Sequence, residues 1–261
     1  MTGISHHLQF EEEEAHFQKI IDLNCMSALR HFKKIVRTYV VFHMTSCFVF
    51  LSELILLCSF LGLEHRRGPL AIVIAGIVLT LFTYLVLFFY FQAKKPEQFQ
   101  QLKNWYILMC KKSIPDDVVP SLYHLSLANA AYRFAHYLKE KDFHCYIIHS
   151  PFPLLNNLFR QVSHLLHNGD LTKMKELLLL IAIEEHVALM KHAPTDLEVH
   201  ASLANAYIAL AQVYRPEHVI LDEMEKEAQL KYHAAIDQAI EEYRIIDTYA
   251  PNDPWVHAQL A

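Results

Sequence analysis

Glycine is scarce in this sequence, with 5 among 261 residues. Because glycine adopts the backbone of tight turns most readily, its scarcity favours helices joined by short loops. Motifs for phosphate binding and nucleophilic catalysis are missing as well, since no G-x-x-x-x-G-K-[ST], G-x-G-x-x-G or G-x-S-x-G occurs. No Ser/His/Asp or Cys/His arrangement stands out from the composition. We therefore predict no catalytic residues, no cofactor and no enzymatic activity.

Paired cysteines and an excess of basic charge are also lacking. The cysteines are odd in number, scattered and free of any C-x-x-C pair: Cys25, Cys47, Cys58, Cys110 and Cys145. This pattern indicates neither a disulfide framework nor a zinc site, and it is typical of a reducing compartment. The net charge of −5 argues against nucleic-acid binding, which requires a basic surface.

Eighteen histidines raise the question of a metal site. His164 and His167 lie three residues apart, and Glu13 with His16 forms a single Glu-x-x-His motif. A carboxylate-bridged di-metal bundle needs two such motifs and two further glutamates, and no H-E-x-x-H is present. We predict no metal site, with most histidines on the surface of helices or half-buried.

Apolar residues, by contrast, are abundant. They make up 53% of the chain and charged residues 20%, a balance that indicates part membrane and part soluble protein. Residues 39–63 and 70–91 form two apolar runs, each long enough for a helix to cross the hydrocarbon core. Because residues 64–69 can only turn the chain back, we predict a transmembrane hairpin over residues 38–92. A cleaved signal peptide does not fit a run this long that starts this late.

Basic residues flank the hairpin and predict its orientation. The outer flanks carry Lys33, Lys34, Arg37, Lys94, Lys95 and Lys103, whereas the turn carries Arg66 and Arg67. Since cytoplasmic flanks are enriched in lysine and arginine, we predict an integral membrane protein with two spans and both termini in the cytoplasm. The turn then faces a lumen, or the periplasm if the membrane is a bacterial inner membrane.

Glu53 is the one acidic residue inside the predicted spans. Folding the hairpin about its turn brings Glu53 level with Thr80, and we predict an intramembrane polar contact among Glu53, Thr80 and Thr83. One interpretation is an ion or proton path. The other, which we favour because two helices cannot enclose a path, is a hydrogen bond within the hairpin or a homo-oligomer.

The segment before the hairpin, residues 1–37, is predicted to be a cytoplasmic amphipathic helix. Apolar residues recur from residue 8 onward at helical spacing. The acidic residues 11–14 lie near its N-terminal end, which suits the helix dipole. Its basic end adjoins the membrane, so the helix either lies on anionic headgroups or packs on the soluble part. The sequence leaves both possibilities open.

Residues 96–261 are predicted to form a helical domain with an internal repeat. Residues 182–204 (AIEEHVALMKHAPTDLEVHASLA) and 239–261 (AIEEYRIIDTYAPNDPWVHAQLA) agree at about half of their positions without gaps. Each copy is a helix, an Ala-Pro turn and the start of the next helix, with Asp196 or Asp253 placed to cap it. A shorter echo pairs SLANAAY at 126–132 with SLANAY at 202–207.

These residues resemble the tetratricopeptide repeat. Ala239, Tyr243 and Pro251 match its second helix and exit, and Leu203, Ala204 and Tyr207 match its first helix. The copies are offset by 57 residues rather than the family's 34, and histidine stands at the family's tryptophan position. The resemblance implies an all-α fold, a transmembrane hairpin followed by a tetratricopeptide-like solenoid or helical bundle.

The resemblance also implies a function. Such arrays bind peptides or helices in a groove, which here would be lined by Ala201, Asn205 and Ile208; for Asn205 a hydrogen bond within the helix pair is the equal alternative. We therefore expect a membrane-anchored scaffold that binds a protein partner. The alternative is an oligomerising membrane protein that forms a pore or remodels the bilayer. The helix that begins near residue 254 would cap the array or pair with another molecule.

Overall fold

The fold is all-α, as predicted. The computed structural model describes residues 2–61, 67–115, 118–140, 153–215, 222–251 and 253–260, with side chains except those of residues 2–17, 67–69, 139–140, 153–168 and 222–224. These ranges contain seven helices and no strand. The helices are α1 (Thr2–Leu61), α2 (Arg67–Ser113), α3 (Pro120–Glu140), α4 (Pro153–Met190), α5 (Leu197–Tyr214), α6 (Asp222–Tyr249) and α7 (Pro254–Leu260).

The two N-terminal helices are much longer than the predicted spans. α1 has 60 residues and α2 has 47, which at 1.5 Å per residue correspond to about 90 and 70 Å. They pack as an antiparallel hairpin, because Glu53 contacts Thr80 whereas Cys25, earlier in α1, contacts Tyr106, later in α2. Both helices are long and apolar enough to cross a membrane.

The apolar part of the hairpin is almost fully exposed. None of the residues in its most hydrophobic windows is buried inside the molecule. Phe48 and Ile72 are each 75% exposed, and Phe82 and Phe89 are each 65% exposed. A water-soluble protein rarely leaves so large a continuous apolar surface uncovered. This part of the hairpin therefore needs an apolar covering.

Outside this apolar part, α1 and α2 continue without a break into the main hydrophobic core of the molecule. Pro96 lies inside α2, and the helix continues through it to Ser113. The main core draws on five helices at once, including Phe32 of α1, Phe99 of α2, Phe134 of α3, Leu178 of α4 and Leu203 of α5. One core thus joins residues of the predicted N-terminal segment, 1–37, to residues of the predicted helical domain, 96–261.

The first helix contributes a full apolar stripe to that core. Its buried members recur every three or four residues: Ile21, Cys25, Ala28, Leu29, Phe32 and Val36. Arg133 of α3 fixes the same stretch from outside, since its guanidinium contacts Gln18 and forms a two-pronged ion pair with Asp22 at 3.0 Å. Of the two possibilities left open for this amphipathic segment, the structure has it packed on the helical domain.

A polar clasp closes the point where the apolar runs end. Lys95 of α2 forms an ion pair with Asp170 of α4 at 2.6 Å, and its ammonium lies 4.9 Å from the centre of the Tyr39 ring of α1. The Tyr39 hydroxyl donates to Gln98 at 2.8 Å. Because Asp170 is only 7% exposed, the pair is largely shielded from solvent. The clasp therefore ties three helices together at one level.

The packing of α1 gives a direct test. Phe32→Ala removes a side chain that is 3% exposed and lies against Phe99, with ring centroids 5.5 Å apart. We expect it to lower the free energy of unfolding by about 3–5 kcal/mol. Leu23→Ala, on the exposed side of α1, is the matched control. Equal thermal stability of the two variants in detergent would mean that α1 does not belong to the core.

Candidate functional site

The turns of the C-terminal half are built by the internal repeat. After α4 ends at Met190, the Ala193 N–H donates to the Leu189 carbonyl at 3.1 Å. Asp196 then caps α5, as predicted, because its carboxylate accepts from the Glu198 N–H at 3.0 Å. A cap of this kind satisfies a backbone donor that the first helical turn leaves without a partner.

The same turn recurs 57 residues later. The Ala250 N–H donates to the Ile246 carbonyl at 2.8 Å, and the Asp253 carboxylate accepts from the Trp255 N–H at 2.9 Å. These residues are the counterparts of those in the first turn under the sequence repeat. The repeat in sequence is therefore also a repeat in backbone structure at these turns. The wider resemblance to the tetratricopeptide repeat stays a prediction.

A histidine at the start of α5 joins this turn to α6. The ring of His200 is enclosed, with one nitrogen 3.1 Å from the Pro194 carbonyl and the other 2.6 Å from the Glu242 carboxylate. Both neighbours are acceptors, so the geometry favours a ring that donates from both nitrogens and carries a positive charge. Burial lowers the pKa of His200, but the hydrogen bonds and the nearby carboxylates outweigh burial and raise that pKa above its ordinary value.

The preceding helix pair has the same contact. His124 of α3 lies 2.7 Å from the carboxylate of Glu185 of α4. His124 and His200 each stand three residues before Leu-Ala-Asn, and Glu185 and Glu242 each end an Ala-Ile-Glu-Glu sequence. We call the His124–Glu185 and His200–Glu242 contacts the His–Glu latches. Sequence reasoning missed them, although the shared spacing was visible.

The predicted groove residues lie on the α5 side of a second, smaller core. That core consists of Ala204, Tyr243, Ile246 and Val256, and both Ala201 and Ile208 pack against it, partly buried. Asn205 accepts a hydrogen bond from the Tyr243 hydroxyl at 3.2 Å while its residue remains exposed. Asn205 therefore makes the hydrogen bond within the helix pair that the sequence left open as one alternative. Its contact with a ligand stays a prediction.

Within the hairpin, Glu53 meets a hydroxyl of the other helix. Thr80 donates to one carboxylate oxygen of Glu53 at 2.7 Å, and the other oxygen is buried without a hydrogen-bond partner. A Cβ atom at Gly76 would lie 3.6 Å from the first oxygen, which is ordinary van der Waals contact, so Gly76 lies directly beside the carboxylate. Thr83, which we predicted to share the contact, is exposed.

A second polar contact lies further along the same helix interface. The Tyr84 hydroxyl is 3.3 Å from the Nδ1 atom of His43, and the Phe42 ring stacks on Tyr84 with centroids 5.7 Å apart. A cavity of about 210 Å³ lies beside these residues and reaches Thr80. We call the Glu53–Thr80 and His43–Tyr84 contacts the polar seam. Its contacts link the two helices of one chain to each other.

No metal-binding arrangement is found in the described part of the chain, where no three His, Cys, Asp or Glu side chains converge. The side chains of His164, His167, Glu13 and His16, which we weighed as candidate ligands, lie outside the described residues.

The polar seam predicts an asymmetry between two neighbouring threonines. Thr80→Val removes the donor to Glu53 and leaves a buried carboxyl without it, so we expect the hairpin to lose roughly 1 kcal/mol. Thr83→Val, one turn away and exposed, serves as the matched control and should be neutral. Thermal unfolding in detergent measures both, and equal losses would contradict a role for the Thr80 contact.

The raised pKa of His200 predicts that α5–α6 packing weakens as pH rises. The latch contributes fully below the unfolded pKa of about 6.5 and is lost as pH passes the higher folded pKa. Glu242→Gln should therefore cost about 1–3 kcal/mol at pH 5.5 and much less at pH 8.5.

Comparison with wild type at each pH isolates this effect. Burial lowers the pKa of His186, which acts in the opposite direction but equally in both proteins. Glu241→Gln, at an exposed neighbouring site, controls for the change of charge. A difference between Glu242→Gln and wild type that stays constant from pH 5.5 to 8.5 would refute a charged latch.

No protein-family model, curated protein or solved structure matches this chain. The functional argument therefore depends on the geometry described above.

Proposed function

We propose that this chain is a non-enzymatic, membrane-anchored scaffold that holds a helical repeat domain at the cytoplasmic face for binding a protein partner. The observation that carries the proposal is the continuity of α1 and α2. Both helices run without a break from the exposed apolar hairpin into the main core. An anchor built this way fixes the height and the orientation of whatever it carries.

The exposed apolar surface supports the anchor. Residues 70–91 contain no charged side chain, and Glu53, the one acidic residue inside the predicted spans, has its Thr80 contact inside the helix pair. Contact of such an apolar surface with lipid is favourable, whereas its contact with water costs free energy. Lys34 and Arg37 at the cytoplasmic end of the first span are exposed and suit anionic headgroups. The proposed topology has two spans, with both termini in the cytoplasm.

The rigid connection between hairpin and helical domain favours a scaffold. A tethered enzyme or a freely moving module would not need such a connection. Residues 18–37 of α1 and 96–113 of α2 continue the two helices past the clasp. In the proposed topology they extend for about 30 Å beyond the bilayer. They are themselves part of the core, so no flexible linker separates anchor from domain. Confinement to a membrane raises the local concentration of sites, and a modest affinity for the partner is then sufficient.

The repeated helix pairs support a protein as the ligand. Two pairs with the same latch stack side by side, an arrangement that produces extended surfaces suited to peptides or helices. We assign the binding surface to the α5 face around Ala201, Asn205 and Ile208. The likeness to tetratricopeptide arrays belongs to this proposal.

The rival function, an oligomer that forms a pore or bends the bilayer, receives less support. Its helices would have to present polar groups to other copies. The hydroxyls of Ser52 and Ser59 instead donate to carbonyls of their own helix at 2.7 and 2.9 Å, and the contacts of the polar seam join α1 to α2 of the same chain. These hydroxyls and the Thr80 contact therefore need no second copy as a hydrogen-bond partner.

Photo-cross-linking in native membranes tests the proposed scaffold. A benzophenone amino acid replaces Asn205 in the full chain, and membranes are washed with carbonate before irradiation. We expect the protein to stay in the membrane pellet and to give a discrete adduct with another protein. The same probe at Glu241, an exposed site on α6, is the matched control.

Two outcomes would contradict the scaffold. Release of the chain by carbonate would remove the anchor, and identical adducts from both probe positions would remove the binding surface. The exposed Cys47 and Cys58 allow a test of the rival function. A bifunctional thiol reagent joins these cysteines between copies only if the hairpins associate. A ladder of discrete oligomers that disappears in a Cys47→Ser, Cys58→Ser variant would favour a pore.

A further inference from the structure

The outer side of α1 changes from apolar to basic where the apolar hairpin ends. Four basic residues recur there at helical spacing: Arg30, Lys33, Lys34 and Arg37. At 3.6 residues per turn they lie within an arc of about 100° on the helix. Arg30, Lys34 and Arg37 are exposed, and Lys33 is half-buried. We call these four residues the basic face of α1.

The basic face points away from the protein core and continues the exposed apolar side of the hairpin. Phe32 and Tyr39, both buried in the core, lie on the opposite side of α1. Val41, Phe48 and Ile55 are exposed and follow Lys34 at intervals of seven residues, which is close to two helical turns. A molecule that covers this apolar side therefore meets the basic face at its end.

The charge of the basic face has no acidic partner in the described part of the chain. None of its four side chains forms an ion pair with a described residue. Residues 23–52 contain no aspartate or glutamate that could balance the charge from a neighbouring turn. The lysines of α2 near the clasp differ. Lys94 pairs with Glu97 at 2.6 Å, and Lys95 pairs with Asp170 at the same distance. The basic face is therefore available to an anion from outside the chain.

The basic face is also taller than one layer of lipid phosphates. From Arg37 to Arg30 the helix rises about 10 Å. The headgroup region on one side of a bilayer is about 5–8 Å thick. In the proposed topology Arg37 lies at the level of the lipid phosphodiesters, whereas Arg30 lies beyond them. A headgroup with additional phosphate groups that project towards the water matches both levels.

We propose that the basic face of α1 binds the headgroup of a polyanionic phospholipid that carries phosphomonoesters beyond its phosphodiester. Arg37 and Lys34 contact the phosphodiester, and Lys33 and Arg30 contact the phosphomonoesters. Clusters of lysine and arginine on the cytoplasmic side of a membrane span attract lipids of this class. The inference rests on the proposed membrane anchor and deepens it, because such a lipid selects the membrane on which the scaffold accumulates.

Native mass spectrometry of the full chain in detergent measures this binding. The chain is titrated with dioctanoyl phosphatidylinositol bisphosphate, and one bound lipid should accumulate saturably. The double variant Lys33→Gln, Lys34→Gln should bind roughly twentyfold more weakly, because each basic residue at a lipid surface contributes about fivefold in affinity. The double variant Lys33→Arg, Lys34→Arg keeps both charges and should retain the binding.

Two controls locate the site and define its ligand. The double variant Lys111→Gln, Lys112→Gln removes an adjacent, exposed lysine pair at the other end of the α2 core segment and should leave the affinity unchanged. Tetraoctanoyl cardiolipin has two phosphodiesters but no phosphomonoester and should bind more weakly than the bisphosphate. Equal losses in the two glutamine variants would overturn the assignment to the basic face. Equal affinity for cardiolipin would overturn the phosphomonoester contact.

The remaining outcomes separate this inference from the scaffold. Absence of saturable binding overturns the lipid site, and so does equally tight binding of inositol trisphosphate without acyl chains. Either result with the chain still resistant to carbonate leaves the anchor and the Asn205 adduct intact. Release of the chain by carbonate would refute the anchor, and this inference with it.

Discussion

The structure depends on the continuity of two helices across a change of environment. The apolar halves of α1 and α2 have no protein around them, whereas their other halves supply Phe32, Tyr106 and their neighbours to the main core. A helix makes its backbone hydrogen bonds internally, both in an apolar medium and in a protein core. Only the types of side chain therefore have to differ between the two parts of the helix. The hairpin can therefore be anchor and structural element at once. The halves outside the apolar hairpin belong to the same core as α3, α4 and α5.

The His–Glu latches illustrate how charge is used inside the helical array. A buried ion pair adds little to stability compared with apolar packing, but it penalises any register that leaves one partner alone. His200 is nearly enclosed, and its second nitrogen is already bound to the Pro194 carbonyl, so only one ring orientation satisfies both contacts. The latch thus selects how α6 lies on α5, while Ala204, Tyr243 and Ile246 supply the apolar packing.

Sequence periodicity was sufficient for the helices but not for what each helical face contacts. The helical periodicity of apolar residues in α1 predicts a buried stripe. The same periodicity is expected whether that stripe lies on lipid headgroups or in a protein core. The decision depends on Arg133 and Phe99, which are distant in sequence and have no pattern of their own. The predicted boundaries at residues 37 and 96 followed the change in composition, and composition alone did not reveal that the segments on their outer sides share one core.

The candidate site was only partly predictable for a similar reason. The Glu53 and Thr80 contact follows from counting residues back from the hairpin turn, because two antiparallel helices of equal rise keep their register. The latches need a comparison of three short segments, and the shared SLAN sequence begins two residues after His124 and His200. Histidine was weighed as a metal ligand, for which the motifs are too few, and not as a partner of the repeated glutamate.

One helix connects the end of the apolar hairpin to the repeated turns and latches. α4 carries Asp170 in the clasp and Glu185 in the first latch, fifteen residues or about 22 Å further on. Because α4 is unbroken between them, the Lys95–Asp170 pair at the end of the apolar hairpin and the His124–Glu185 contact are held at a fixed distance from each other. The second latch then sets α6 on α5, and α7 continues the series. The distance of each of these helix pairs from the apolar hairpin therefore follows from contacts within a single chain.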